Sequence, residues 1–256
     1  MVKIKKIIPL IIAIQISSYF ALYAEEIPKD KPGTAVFVMK SQQGEKINVT
    51  SEIIKESPQG LEIDMKIPII NGLNNKFFQK GLNHKIQKQQ LCLKKTIEQD
   101  AVRNHQYAKK KGFPIIPYTL MTNYHVKSNN KIFSLETTVY DYRGGAHGLT
   151  TNTYYNINTG KSKLIAIKDL FKPSSPYKEI LNEEINKQIG ERRSQGAMFF
   201  DNEEGFKGIK DNQSFYITED GHLVIVFALY EIAPYASGII EFTIPNEVID
   251  EIKAYD

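Results

Sequence analysis

Residues 131–160 read KIFSLETTVYDYRGGAHGLTTNTYYNINTG: two β-branched, tyrosine-bearing runs on either side of a glycine-rich loop. In the first run Phe133, Leu135 and Val139 share one parity, which extends to Asp141, while Tyr140 and Tyr142 fall on the other. A period of two marks a strand. The loop, Asp141 to Gly148, holds three glycines, an arginine and a histidine. Glycine at that density signals dihedrals that side chains avoid, or a place where backbone must approach another group closely. Thr150 to Ile157 reads as the next strand, ended by Asn158-Thr159-Gly160-Lys161. Upstream, Tyr118 to Val126 pairs with Lys131 to Tyr142 as a hairpin over Ser128-Asn129-Asn130.

Working outward, Ala35 to Met39, Ile47 to Ile54 and Leu61 to Ile70 are short and rich in Val, Ile and Thr. They are separated by Gln42-Gln43-Gly44 and Ser57-Pro58-Gln59-Gly60, as in a meander. Between them and the hairpin, Leu73, Phe77, Phe78, Leu82, Ile86, Leu93, Ile97 and Ala101 recur at helical spacing. This predicts one long helix, capped by Asn71 or Asn74 and open to a break at Gly81. Its other face carries Lys76, Lys80, Lys85, Lys88, Lys94, Lys95 and Arg103, with Lys109-Lys110-Lys111 following. The stripe reads as a solvated face, with an anionic wall polymer as the alternative partner. Downstream, Ser175-Pro176 starts a shorter helix that is expected to stop near Gly190. Phe215 to Thr218 and Leu223 to Tyr230 form a second hairpin whose return strand, apolar on both faces, is predicted to be central. After a loop at Glu231 to Gly238, Ile240, Phe242 and Ile244 face inward from a last strand, and Asn246 caps a short terminal helix. The fold class expected is α+β: antiparallel sheets packed with one long helix in the first half and one or two shorter helices in the second.

The 256 residues carry 33 basic and 29 acidic side chains. Lys3, Lys5 and Lys6 precede an apolar run from Ile7 to about Tyr23, with Ala24 before two glutamates, the pattern of a secretory signal peptide cleaved after Ala24. An uncleaved anchor is the rival, but the run contains Pro9, Gln15, Ser17 and Ser18 and is short of the roughly 20 apolar residues that span a bilayer. The organisation read from sequence is a signal peptide (1–24), a mobile leader (25–33), an N-terminal α+β domain (34–160) and a C-terminal α+β domain (161–256). Without residues 1–24, 30 basic residues face 29 acidic ones. A charge of +1 argues against a nucleic-acid partner, which calls for clustered uncompensated cations. No membrane span is expected after signal cleavage. The single cysteine, Cys92, precludes an intrachain disulfide and reads as a buried small apolar residue.

Catalytic patterns are sparse. His84, His105, His125, His147 and His222 include no pair at metal-ligand spacing, so neither a metal site nor a cofactor is expected. There is no G-x-S-x-G, and Cys92 has no local partner. Asp141, His147 and Glu231 sit on two probable loops, where a wall-active hydrolase or deacetylase could use them. Turn capping by the aspartate and a histidine bonded to turn backbone are the plainer readings.

The segments Tyr142-Arg143-Gly144-Gly145-Ala146-His147-Gly148, Asn156 to Lys161, Lys168-Asp169-Leu170-Phe171, Asp211 to Tyr216 and Tyr230 to Gly238, in this order, resemble the extracytoplasmic region of RsiV-type anti-sigma factors. The resemblance runs from about residue 50 to the C-terminus and corresponds to two adjoining domains of unknown function. It implies an α+β fold and direct binding of lysozyme, with the binder occupying the enzyme's substrate cleft. Carried onto this chain, it makes Pro234 and Tyr235 the candidates for cleft insertion, beside Tyr142, Arg143 and His147 of the glycine loop. A fixed proline next to an aromatic is a sound anchor; a turn with Tyr235 folded onto its own core is the alternative. Only six residues precede Ile7, whereas RsiV-type proteins carry a sigma-binding segment there, so an anti-sigma role is not expected. A near-neutral chain also lacks the acidity that would steer it towards a basic lysozyme. The expected protein is an exported, non-enzymatic binder of the cell envelope, periplasmic or extracellular. Its partner would be a lysozyme-type muramidase or a peptidoglycan fragment. A structural envelope domain is a further alternative.

Overall fold

The computed structural model describes residues 34–37 and 47–255. The signal peptide and leader expected over 1–33, the continuation of the first strand through Met39 and the turn at Gln42-Gln43-Gly44 lie outside the described residues.

Seven strands form one sheet in chain order: β1 (Thr34–Phe37), β2 (Asn48–Glu56), β3 (Leu61–Asn71), β4 (Tyr118–Asn129), β5 (Ile132–Tyr142), β6 (Leu149–Asn158) and β7 (Lys163–Leu164). Every pair is antiparallel except β3 and β4, which run parallel with Leu61 opposite Tyr118. That exception follows from the insertion between them, because a helix must carry the chain back along the sheet before the next strand starts. The helix is α1 (Lys76–Lys111). Its N-cap is Asn75, whose side chain accepts from the Phe78 N–H at 3.0 Å, and not Asn71 or Asn74. Gly112, in the left-handed region at φ 69°, closes the other end. Gly81 does not interrupt it, and a Cβ added there would meet nothing within 4 Å. The buried stripe is Leu82, Ile86, Gln90, Ile97, Ala101 and Ala108. Asn83 fastens the helix to the sheet: its amide accepts from the Ile70 N–H at 2.9 Å and donates to the Ile70 carbonyl at 2.8 Å.

Two expectations on this helix fail for one reason. Phe77 and Cys92 are exposed; at 100° per residue neither falls in the phase of the Leu82–Ile86–Ile97 stripe.

In the second half α2 (Tyr177–Ser194) has Pro176, not Ser175, at its N-cap and runs four residues past Gly190, where an added Cβ would meet nothing within 4 Å. Strands β8 (Ser214–Ile217), β9 (Leu223–Phe227) and β10 (Ile240–Ile244) form a second antiparallel sheet in the order β10-β9-β8, and α3 (Asn246–Ile249) follows, with Pro245 rather than Asn246 at its N-cap. All five residues of β9 are buried, as the continuous apolar run predicts for a central strand.

Two apolar cores result. One packs α1 on the sheet through Met65, Ile67, Ile86, Ile97, Phe133 and Leu135. The other gathers Leu181, Ile185, Phe215, Phe227 and Phe242, and also takes Ile132 from β5. Strand β5 is therefore covered on both sides: Phe133 and Leu135 face the helix, Ile132 and Ser134 face the second sheet. The contact between halves is hydrogen-bonded. Ser134 Oγ donates to Asn156 Oδ1 at 2.7 Å and accepts from the Ile217 N–H at 3.0 Å, and the Asn156 amide donates to the Phe215 carbonyl at 2.7 Å.

Candidate functional site

The glycine loop joins β5 to β6 as a hairpin connection, with Asp141 opposite Leu149. Its three glycines answer to both expected demands. Gly144 and Gly145 have φ of 87° and 98°, which L-residues avoid. Gly148 is required by proximity, because a Cβ there would lie 2.5 Å from the Tyr140 ring. Tyr142 closes the loop by donating its hydroxyl hydrogen to the Gly145 carbonyl at 3.1 Å.

Arg143 and His147 leave this loop in different directions. Arg143 forks onto Asp141, with Nε at 2.9 Å and Nη2 at 2.7 Å, and pairs through Nη1 with Asp100 on α1. The hydrogen bond to Asp141 raises the guanidinium pKa above its ordinary value, so the side chain is a permanent cationic clamp between loop and helix. Asp141 shares the parity of Phe133 and Leu135, which places it on the helix side of the sheet. Its carboxylate is engaged as a clamp component.

His147 is exposed and lies on Tyr235, with ring centroids 3.7 Å apart and planes 15° from parallel. The Tyr235 hydroxyl donates to the Gly148 carbonyl at 2.9 Å. The loop after β9 thus rests on the glycine loop of the first sheet. Pro234 (φ −65°) leads into a single 3-10 turn, Tyr235–Ser237, and Gly238 at φ 72° releases the chain into β10. Glu231 braces the same loop, accepting from the Ala228 N–H at 2.8 Å and pairing with Lys210 at 2.7 Å. Pro234 and Tyr235 are half-buried. Tyr235 is therefore folded onto its own chain along one face and one edge, while part of it stays open to solvent.

One member of this rim escaped the sequence reading. Tyr230 is 51% exposed, lies 5.6 Å from Tyr235 ring to ring, and holds φ at 65°. A bulky residue in the left-handed region costs on the order of 1–2 kcal/mol. Its available signal was its place at the head of the Tyr230 to Gly238 motif. Beside the rim, Leu149, Asn152, Tyr154, Leu229 and Ile239 border a cavity of about 210 Å³.

The structure brings together His147, Pro234 and Tyr235 and leaves Arg143 turned to α1. The three residues considered for catalysis do not form a set: Asp141 is held by Arg143, Glu231 by Lys210, and His147 Nδ1 lies 3.2 Å from the Gly148 carbonyl. Among the described residues, no group of three His, Cys, Asp or Glu side chains is placed to hold a metal ion.

The architecture is that of the DUF3298 crystal structures. A member from Bacteroides fragilis NCTC 9343 superposes with a TM-score of 0.65 at 17% identity, covering 82% of this chain and 94% of that one. One from Pseudomonas aeruginosa PAO1 does so with a TM-score of 0.53 at 14% identity, covering 81% and 94%. Residues 168–247 match the family described as "Protein of unknown function (DUF3298)" and residues 54–150 the one described as "Deacetylase PdaC". The chain belongs to the family of the anti-sigma-V factor RsiV of Bacillus subtilis strain 168, to which it is 30% identical over 205 residues, 78% of this chain and 68% of that protein. The glycine loop lies in one matched segment and the Pro234 loop in the other, so the rim is made where the two meet.

Proposed function

We propose that this protein is an exported, non-enzymatic binding protein of the cell envelope whose rim of His147, Tyr230, Pro234 and Tyr235 engages a lysozyme-type muramidase or a peptidoglycan-related ligand. One observation carries the reading: the stacking of His147 on Tyr235, which preorganises two loops from separate parts of the chain into one partly exposed aromatic surface. Aromatic anchors held before binding lose little freedom on complex formation. Tyr142 and Arg143 act in this reading as supports of the loop that carries His147. Membership of the RsiV family supports the envelope setting. The two segments, 34–160 and 161–256, serve together, since neither alone supplies the rim.

Isothermal titration of the protein with several lysozymes and with purified muropeptides tests the proposal. Saturable binding that weakens at least tenfold in Tyr235→Ala supports it. No saturable binding to any of these ligands overturns it. Muropeptide release or deacetylation that disappears in His147→Ala would replace it with a hydrolytic function.

A further inference from the structure

Residues 109–117 read KKKGFPIIP, and every one of them is exposed. Three lysines on the last turn of a helix suit its dipole, but the apolar residues after them have no such local reason. Phe113 is 57% and Ile116 47% exposed, and Tyr107, 56% exposed, tilts towards Phe113 at 6.2 Å between centroids. Together with Tyr118 they border an open apolar cleft of about 330 Å³ whose far wall is Arg143 and Gly144. Lys109, Lys110 and Lys111 form no ion pair among the described residues. An exposed aromatic and aliphatic cluster rimmed by unpaired lysines matches the chemistry of an anionic lipid surface, with apolar groups for the acyl boundary and ammonium groups for the phosphates.

The topology agrees with that occupant. The register places Thr34 opposite Ile54, Glu56 opposite Ile63, Leu61 beside Tyr118 and Thr119 opposite Tyr142. The start of β1 therefore lies at the end of the sheet that carries the cleft. Ile115 confirms the placement, since its Cγ2 stands 3.4 Å from where a Cβ on Gly60 would be. In the uncleaved alternative the apolar segment 7–23 is joined to Thr34 by 10 residues, a connection that spans at most about 35 Å; with the signal peptide cleaved, the exposed apolar cluster and its lysines carry the docking by themselves.

We propose that Tyr107, Phe113 and Ile116, flanked by Lys109, Lys110 and Lys111, dock this end of the protein on an anionic phospholipid bilayer. The cleft shares the glycine loop with the rim through Arg143 and Gly144, but none of the residues proposed to dock belongs to the rim.

The chain contains no tryptophan, so a single introduced indole reports its own surroundings even if the N-terminal segment also reaches lipid. The full chain carrying Phe113→Trp is mixed with vesicles of phosphatidylglycerol and phosphatidylcholine, and with vesicles of phosphatidylcholine alone. Leu164→Trp, at the opposite end of the sheet, is the reference. The expected result is a blue-shifted emission, quenched by brominated acyl chains, for Phe113→Trp on anionic vesicles only, with no shift for Leu164→Trp. Adding Lys109→Gln, Lys110→Gln and Lys111→Gln should raise the lipid concentration needed for half of the shift by about 100-fold, each surface lysine contributing roughly a factor of five. No shift at Phe113→Trp, an equal shift on neutral vesicles, or equal shifts at both positions would overturn the proposal. A shift that grows with protein concentration without lipid would also overturn it, and would assign the cleft to a second copy of the chain.

Discussion

The imidazole of His147 lies flat against the phenol of Tyr235, 3.7 Å between centroids, and the Tyr235 hydroxyl reaches the backbone carbonyl next to that histidine. Such a pair locks two loops by stacking and by a hydrogen bond that both depend on one side chain. A double-mutant cycle with His147→Ala and Tyr235→Ala should give a coupling of about 0.5–1.5 kcal/mol in chemical denaturation. Tyr235→Phe keeps the stack and loses only the hydrogen bond, costing about 1 kcal/mol. It should leave ligand affinity far less affected than Tyr235→Ala does.

Gly148→Ala places a methyl group inside the Tyr140 ring, 2.5 Å from its nearest carbon. Overpacking of this kind costs about 1–3 kcal/mol. Thermal unfolding should show the loss, and the second substitution Tyr140→Val should recover most of it by vacating the ring's space. Failure of that rescue would mean that the backbone at Gly148, and not the ring, sets the requirement.

The strand pattern around the glycine loop was readable because one face of each strand packs on a helix and the other on a sheet, so parity held for Phe133, Leu135 and Asp141. The central place of β9 was readable from an unbroken apolar run. Exact caps and ends were less so. Asn75 competes with Asn71 and Asn74 as a capping side chain, and it is Asn75 whose extended backbone, φ −84° and ψ 100°, puts its side chain on the Phe78 N–H. Gly190 and Gly81 stay helical because glycine costs a helix interior only about 1 kcal/mol against alanine, less than a break would forfeit in backbone hydrogen bonds and packing. The rim was half legible. Pro234, Tyr235 and His147 stood out as loop residues, but their meeting depends on how the second sheet lies against β5 and β6, a long-range fact that no local spacing encodes. Arg143 stood out for the same reason as His147, yet the parity of Asp141 takes it to α1.

Ser134 is fully buried between the two cores and serves Asn156 and the Ile217 N–H at once. Ser134→Ala removes both partners' bonds without adding volume, and an unpaired buried donor costs about 1–3 kcal/mol. Equilibrium unfolding should show that loss, and amide exchange at Ile217 should accelerate more than exchange at Ile86, which lies in the other core. Uniform acceleration would mean that the halves unfold as one unit, with the seam as strong as either core.

Alkaline stability should carry the mark of the tyrosines at the same seam. Tyr154 and Tyr216 stack 5.5 Å apart, Tyr154 hydroxyl donates to Glu136 at 3.1 Å, and Tyr216 hydroxyl donates to Glu241 at 2.9 Å. Burial first, and the neighbouring carboxylates with it, raise both phenols above their ordinary 10.0; burial pushes Tyr255 up to about 12. The unfolded chain loses these protons near its ordinary value while the folded chain keeps them. Above that pH the folded state therefore binds more protons, and stability falls as pH rises. Below it both states are protonated and the stabilisation is intact. The melting temperature should be flat with respect to these groups up to about pH 9.5 and then drop steeply through pH 11. Tyr154→Phe should lower the baseline, because Glu136 and Asn152 lose a partner, yet flatten the alkaline slope by close to one proton per molecule. An unchanged slope in that variant would show that Tyr154 ionises in the folded protein as readily as in the unfolded chain, contrary to its burial.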